Sequence, residues 1–154
     1  MGYTLDGYYP PTGFSFIVYF DGVSSNVFDV RFQEVSTIAA EIEVEPLRVG
    51  GDARTFYKPV ARRYPPLILR RGLLSYSGLY DWFERAIEDY DIDPVTVTVC
   101  LLDAGLLPVA VWVFNEAWPT RWEVSGLNAE NAQIVAESIT LVYSNFTRYD
   151  GIPF

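Results

Sequence analysis

Histidine is absent from this 154-residue chain, cysteine and lysine occur once each, at Cys100 and Lys58, and acids outnumber bases by 20 to 11. Without histidine there is no imidazole to act as a general base, a triad member or a metal ligand. A single cysteine forms no internal disulfide, and its place in the apolar run at residues 95–102 suits a small buried hydrophobe better than a nucleophile. Lys58 follows no glycine-rich run, so a phosphate-cradling loop is missing. A net charge of -9 opposes the counterion-releasing mode of nucleic-acid binding, and no direct nucleic-acid recognition is expected. The longest strongly apolar stretch, residues 106–114, is interrupted by Pro108 and falls well short of the ~20 residues that cross a bilayer. The opening Met1-Gly2-Tyr3-Thr4-Leu5-Asp6-Gly7 carries neither the positive start nor the apolar stretch of a secretory signal. The expectation is a protein made in a cytoplasm, without membrane insertion of its own.

The acidic clusters do not restore chemistry. Asp89-Tyr90-Asp91-Ile92-Asp93 opens like a calcium loop, but the sixth position, which needs glycine, is Pro94, and the twelfth, which needs a bidentate glutamate, is Cys100. A carboxylate pair for glycoside hydrolysis is conceivable among 20 acids, yet no pair is singled out by the sequence. No catalytic, cofactor-binding or metal-ligating residue is assigned, and the chain is not expected to be an enzyme.

What is present is apolar and extended. Half of the residues are hydrophobic and 16% aromatic, enough for one domain with a sizeable core, taken as residues 1–154 with tails at 1–8 and 149–154. Phe14, Phe16, Val18 and Phe20 alternate onto one face before the turn signal Asp21-Gly22. Residues 35–47 read as one strand of ~40 Å, about twice the usual length. Within it Glu41, Glu43 and Glu45 form an acidic outer stripe opposite a buried side with Ile42 and Val44. After Gly50-Gly51-Asp52 an extended reading resumes at residues 56–69, giving a long hairpin with an exposed tip, and Pro59, Pro65 and Pro66 mark edge or irregular placement. Further strands are expected at residues 95–99, 109–114 and about 134–143. One amphipathic helix, at about 79–90, has Leu79, Trp82, Phe83, Ala86, Ile87 and Tyr90 on a continuous stripe, with Ser77 or Gly78 to cap it. The fold class is mainly β, a two-sheet sandwich or barrel carrying one helix. Trp112, Trp118 and Trp122 are read as core, with a stacking platform or a subunit contact as alternatives.

Charge is segregated along the chain. From residue 46 to 72 the bases Arg48, Arg54, Lys58, Arg62, Arg63, Arg70 and Arg71 face the single acid Asp52. From 81 to 93 the acids Asp81, Glu84, Glu88, Asp89, Asp91 and Asp93 face the single base Arg85. Such blocks can meet within a subunit or between copies, which makes Arg62, Arg63, Arg70, Arg71, Asp81, Glu84, Glu88 and Asp89 candidate interface charges. Long alternating strands also leave unpaired backbone edges, and cyclic assembly is one way to cover them.

Several motifs coincide in order and spacing. Tyr9-Pro10-Pro11-Thr12-Gly13-Phe14-Ser15-Phe16, Phe32-Gln33-Glu34-Val35-Ser36, Val49-Gly50-Gly51, Tyr64-Pro65-Pro66-Leu67-Ile68-Leu69-Arg70-Arg71-Gly72, Asp81-Trp82, Ala117-Trp118-Pro119-Thr120-Arg121-Trp122, Leu127-Asn128-Ala129 and Glu137-Ser138-Ile139-Thr140-Leu141 together resemble the tail tube proteins of contractile phages and extracellular contractile injection systems. The resemblance implies a subunit of two sheets and a helix, six of which close into a ring-shaped 24-stranded barrel, with rings stacking into a tube. It leans toward the tube-initiator layer near the baseplate, with the main repeating tube subunit as the alternative. A monomeric carbohydrate-binding β-sandwich is the reading from a different class. Implied partners are identical copies in a homo-hexamer, adjacent rings, the baseplate hub or spike and the sheath, within a phage tail-like particle made in a bacterium. In such a ring Glu41, Glu43 and Glu45 are candidates for the bore wall, and Arg48, Gly50, Gly51, Asp52 and Arg54 for ring-to-ring contact.

Overall fold

The computed structural model describes residues 14–23, 31–73, 77–128, 130 and 135–150. The expected tail at 1–8, and residues 151–154 of the expected tail at 149–154, lie outside these. The elements run β1 (Ser15–Phe20), β2 (Arg31–Phe32), β3 (Glu34–Val35), β4 (Glu41–Leu47), β5 (Phe56–Arg63), β6 (Leu67–Gly72), α1 (Gly78–Asp89), β7 (Val95–Leu102), β8 (Pro108–Ser125), β9 (Ala136–Val142) and β10 (Asn145–Asp150). The described residues are mainly β with one helix, as the patterning predicts.

Two sheets share β8. Its first part pairs with β7 on one side and β10 on the other, and its later part pairs with β9, giving the order β2-β1-β7-β8-β9-β6-β3. The strand is 18 residues long, where sequence patterning reached only residues 109–114. Its change of sheet has a local cause: β7 pairs Val95 with Ala117 but Val97 with Phe114, so β8 carries one extra residue there, and Glu116 takes a φ of 53°. An inserted residue of this kind bends a strand and raises its twist. A second register shift between Pro119 and Arg121 accommodates a proline that has no N–H to give to a ladder.

The core lies between the sheets and under the helix. Val18, Phe20, Val97, Val99, Phe114 and Ala117 from one sheet meet Leu67, Leu69, Ile139 and Leu141 from the other, with Phe32, Leu79 and Trp82 closing the cluster. Each set comes from period-2 alternation, which sends every second side chain inward. On α1, Ser77 is the cap, its Oγ accepting from the Leu79 N–H at 3.2 Å, and Leu79, Trp82, Phe83 and Ala86 are buried. The expected stripe stops there: Ile87 and Tyr90 are exposed, and Tyr90 leaves the helix in the left-handed region with φ 51°. Trp112, Trp118 and Trp122 pack against the core, and Trp122 meets Tyr80 and Phe83 at ring centroid distances of 5.0 and 6.2 Å.

Two expectations need correction. The single strand over residues 35–47 is two strands, β3 and β4, because the chain peels away after Val35. Ser36 still donates its N–H to the Ile68 carbonyl and accepts the Ile68 N–H on its Oγ, both at 2.8 Å, and residues 37–40 then leave the sheet. Tyr149 and Asp150, expected in a tail, are the last residues of β10 and pair with Val111 and Ala110.

Candidate functional site

The surfaces that stand out belong to the β4–β5 ribbon, which forms a two-stranded sheet of its own, pairing with no other strand among the described residues. Every residue of both strands is exposed. Facing pairs point to one side of an antiparallel ribbon. One side therefore carries Glu41 opposite Arg63, Glu43 opposite Ala61, Glu45 opposite Lys58 and, next to the tip, Leu47 opposite Phe56. The other carries Ile42 opposite Arg62, Val44 opposite Pro59 and Pro46 opposite Tyr57. The register skips Val60 and so keeps both sides in phase along β4.

This arrangement changes the meaning of the acidic stripe. Glu41, Glu43 and Glu45 do share a face, but basic side chains stand across the ribbon from them, and Glu43 accepts from Arg63 Nη2 at 3.0 Å. Ile42 and Val44, expected on a buried side, are 64% and 49% exposed in the subunit, and Tyr57 beside them is 67% exposed. A lone two-stranded ribbon is marginal in water, so an uncovered apolar side is a surface built to meet something.

The tip is self-braced. The Asp52 N–H donates to the Val49 carbonyl at 3.1 Å, closing a four-residue turn in which Gly51 has φ 87°. That angle at the third position is what a type II turn asks of glycine. The Arg54 N–H and guanidinium both donate to the Asp52 carboxylate, at 3.0 and 2.9 Å, and the guanidinium lies 5.3 Å from the Phe56 ring centre. The Arg54 side chain, and then its backbone N–H, hold the Asp52 carboxyl below its ordinary range, while Asp52 raises Arg54. Arg48, Gly50, Gly51 and Arg54 are exposed.

The basic block does not form one patch. Arg62 and Arg63 lie on opposite sides of the ribbon; Arg70 is on the outer face of β6, donating to Ser138 Oγ at 3.0 Å. Arg71, expected among the interface charges, is buried at 3% exposure, because alternation along Leu67-Ile68-Leu69-Arg70-Arg71 turns it inward with the leucines. There its guanidinium pairs with Glu137, directly opposite on β9, donates to Ser77 Oγ at 2.8 Å and stacks 4.9 Å from the centre of the Phe32 ring. The Trp122 indole donates to the second Glu137 oxygen at 3.3 Å. One buried network thus ties β2, β6, β8, β9 and the helix cap. Asp81, Glu84, Glu88 and Asp89 are all exposed on α1.

A groove of about 750 Å³ lies against β1, β2 and β7, with Phe16, Ile17, Tyr19, Cys100, Leu102 and Leu106 among its lining. Its lining is apolar apart from Ser15, Arg31, Gln33 and Arg71. Burial pushes the Cys100 thiol up, which disfavours the reactive thiolate. Neither this groove nor the Glu137 network was singled out by sequence reading. The inward phase of Arg71 among leucines was the available signal for the latter.

Comparison with known proteins follows the same lines. Residues 12–147 match the sequence profile of the T4-like virus tail tube protein gp19 family. A chain from the cryo-EM structure of the anti-feeding prophage baseplate, 6-fold symmetrised, superposes with a TM-score of 0.78 at 27% identity, covering 93% of this chain and 97% of that one. A chain from the sheath–tube complex of the extracellular contractile injection system PVC, in its extended state, gives 0.75 at 21% identity, covering 93% of each. Hcp1 from Flavobacterium johnsoniae shares the fold, with a TM-score of 0.60 at 11% identity over 89% of this chain and 96% of its own. No curated protein sequence matches.

Proposed function

Since the chain belongs to the T4-like virus tail tube protein family, and is a structural tube subunit of contractile injection systems, we propose that six copies close into a ring, and that this ring forms the tube-initiator layer next to the baseplate hub. The observation that carries this is the likeness to a chain of a six-fold baseplate structure at 27% identity over nearly the full length of both chains. The protein acts by closing a ring and templating the next one, with no bond chemistry. Identical copies, adjacent rings, the hub and the sheath are its partners.

The charged side of the ribbon, with Glu41, Glu43 and Glu45, lines the bore. Cross-strand Arg63 and Lys58 offset the glutamates, and screening over ~8 Å at physiological salt limits repulsion between copies. Changing all three glutamates to Gln leaves assembly intact on this reading; its loss places them against a neighbour instead. Arg48, Gly50, Gly51, Asp52 and Arg54 form the ring-to-ring contact, so deleting residues 50–53 abolishes stacking while single rings persist. Exposed Arg70 on β6 faces the α1 acids Asp81, Glu84, Glu88 and Asp89 of an adjoining copy, while Arg63 stays with the bore-side glutamates.

Light scattering with negative-stain imaging tests ring closure directly. The expected particle has six times the subunit mass of 17.5 kDa and a central hole. A compact single subunit, both free and in the native particle, would refute the reading and favour a sugar-binding sandwich. Copy number in purified native particles separates the layers: an initiator is present as one ring per particle, whereas a main tube subunit scales with tube length.

A further inference from the structure

We infer that the corner at Asn115 and Glu116, where β8 passes from one sheet to the other, sets the number of copies that close the ring. The inference rests on the ring-forming reading above and names the residues that fix the ring's size.

The corner interrupts both ladders of β8 at the same place. On the β7 edge Phe114 faces Val97 and Ala117 faces Val95, so Asn115 and Glu116 stand opposite the single Thr96. On the other edge β9 ends with Val142 facing Trp118, β10 begins with Asn145 facing Asn115, and Tyr143 and Ser144 lie between them. Strands that switch sheets turn their corners at bulges of this kind.

Hydrogen bonds and packing lock the bend. The Ser144 N–H and Oγ both donate to the Asn115 carbonyl, at 2.9 and 3.2 Å, and Asn115 Nδ2 donates to Asn145 Oδ1 at 2.6 Å. Beneath the bend Phe114 and Ala117 are fully buried. Tyr143 meets Phe114 edge-on at a ring centroid distance of 4.8 Å, and its hydroxyl donates to the Pro65 carbonyl at 2.7 Å. Glu116 itself is exposed and holds φ 53°, a conformation that L-residues avoid and that persists only where the surroundings impose it.

The place of the corner gives it its consequence. Among the described residues β10 pairs only with β8, and residues 118–125 of β8 pair only with β9. One unpaired border of each sheet therefore flanks the corner, and copies joined across those borders inherit its angle at every step. A head-to-tail contact closes a ring only when the turn from copy to copy divides a full circle, which is about 60° for six copies and about 51° for seven. A change of roughly 9° between the sheets is enough to alter the count, and that is less than the roughly 20–25° twist between neighbouring strands of one sheet.

Deleting Glu116 removes the extra residue while Phe114 still faces Val97 and Ala117 still faces Val95, so the inward alternation survives and the bend is lost. Full-length wild type, this deletion variant and Glu116→Gly are compared by mass photometry and by the rotational symmetry of negative-stain class averages, with amide protection of β7 and β8 reporting the fold. Six-fold rings are expected from wild type and from Glu116→Gly, which keeps the extra residue and suits a positive φ. The deletion variant is expected as folded subunits in rings of another count or in open arcs. A milder variant, Asn115→Ala with Ser144→Ala, removes the Asn145 pair and the hydroxyl bond, and is expected to spread the rings over more than one count. Six-fold rings alone from a folded deletion variant, or from the milder variant where the deletion does not fold, overturn the inference and leave the ring reading standing. A changed count with Glu116→Gly overturns it as well. Wild-type protein that stays a single subunit refutes the ring reading itself, and the inference with it.

Discussion

Replacing Glu137 by alanine tests whether the buried network holds the two sheets together. Arg71 and Glu137 side chains are 3% and 4% exposed. The substitution removes the carboxylate opposite the buried guanidinium and strips the Trp122 indole of its acceptor at 3.3 Å, while the Ser77 hydroxyl and the Phe32 ring stay in contact with Arg71. Breaking one half of a buried pair costs about 3–5 kcal/mol, against a typical domain stability of roughly 5–15 kcal/mol. At about 2–4 °C per kcal/mol for a chain of this size, the melting point falls by roughly 6–20 °C. Urea and thermal unfolding at one fixed protein concentration measure it, since assembly shifts both midpoints by mass action. The double variant Arg71→Met with Glu137→Leu removes both charges together and is expected to lose less stability than Glu137→Ala. A loss below about 1 kcal/mol for Glu137→Ala would refute the reasoning, because it would mean the pair is solvated in the folded protein.

Three further outcomes follow from individual residues. Ser77→Ala removes the helix cap and an Arg71 partner together, so it costs about 1–2 kcal/mol in chemical denaturation, at the upper end of cap losses. Gly51→Val forces a branched side chain into φ 87° and unravels the tip turn, seen as faster amide exchange at Asp52 while the core strands keep their protection. The Asp52 carboxyl has its folded pKa below its unfolded value, so its bond to Arg54 is present above the ordinary carboxylate range and is lost as pH falls through the folded pKa. A carbon-13 titration of the Asp52 carboxyl registers that low midpoint, and Arg54→Gln returns it to the ordinary range.

The legible part of the fold is the part that follows a period. Alternation in Phe14, Phe16, Val18 and Phe20 sends Val18 and Phe20 into the core, and the helix stripe is buried as far as Ala86. Alternation states that one side of a strand is apolar without saying what covers it. Ile42 and Val44 therefore read as the buried side of a half-buried strand, and they lie exposed on a projecting ribbon. Composition treats Arg70 and Arg71 alike, while their strand phase separates a surface charge from a buried one. β10 has no apolar period: Asn145, Thr147, Arg148, Tyr149 and Asp150 are exposed, and only register with β8 makes it a strand. The turn at Glu116 rests on a φ of 53° that nothing in a glutamate announces. Among the candidate residues, the sequence marked the Glu41, Glu43 and Glu45 alternation and the tip, but it did not mark the bases opposite those acids, because cross-strand register emerges only on folding.

β8 belongs to both sheets, and its backbone runs without a break from one to the other. A push delivered to either layer travels into its counterpart along covalent bonds, with no need for packed side chains to carry it by friction. This spar makes the subunit behave as one stiff piece.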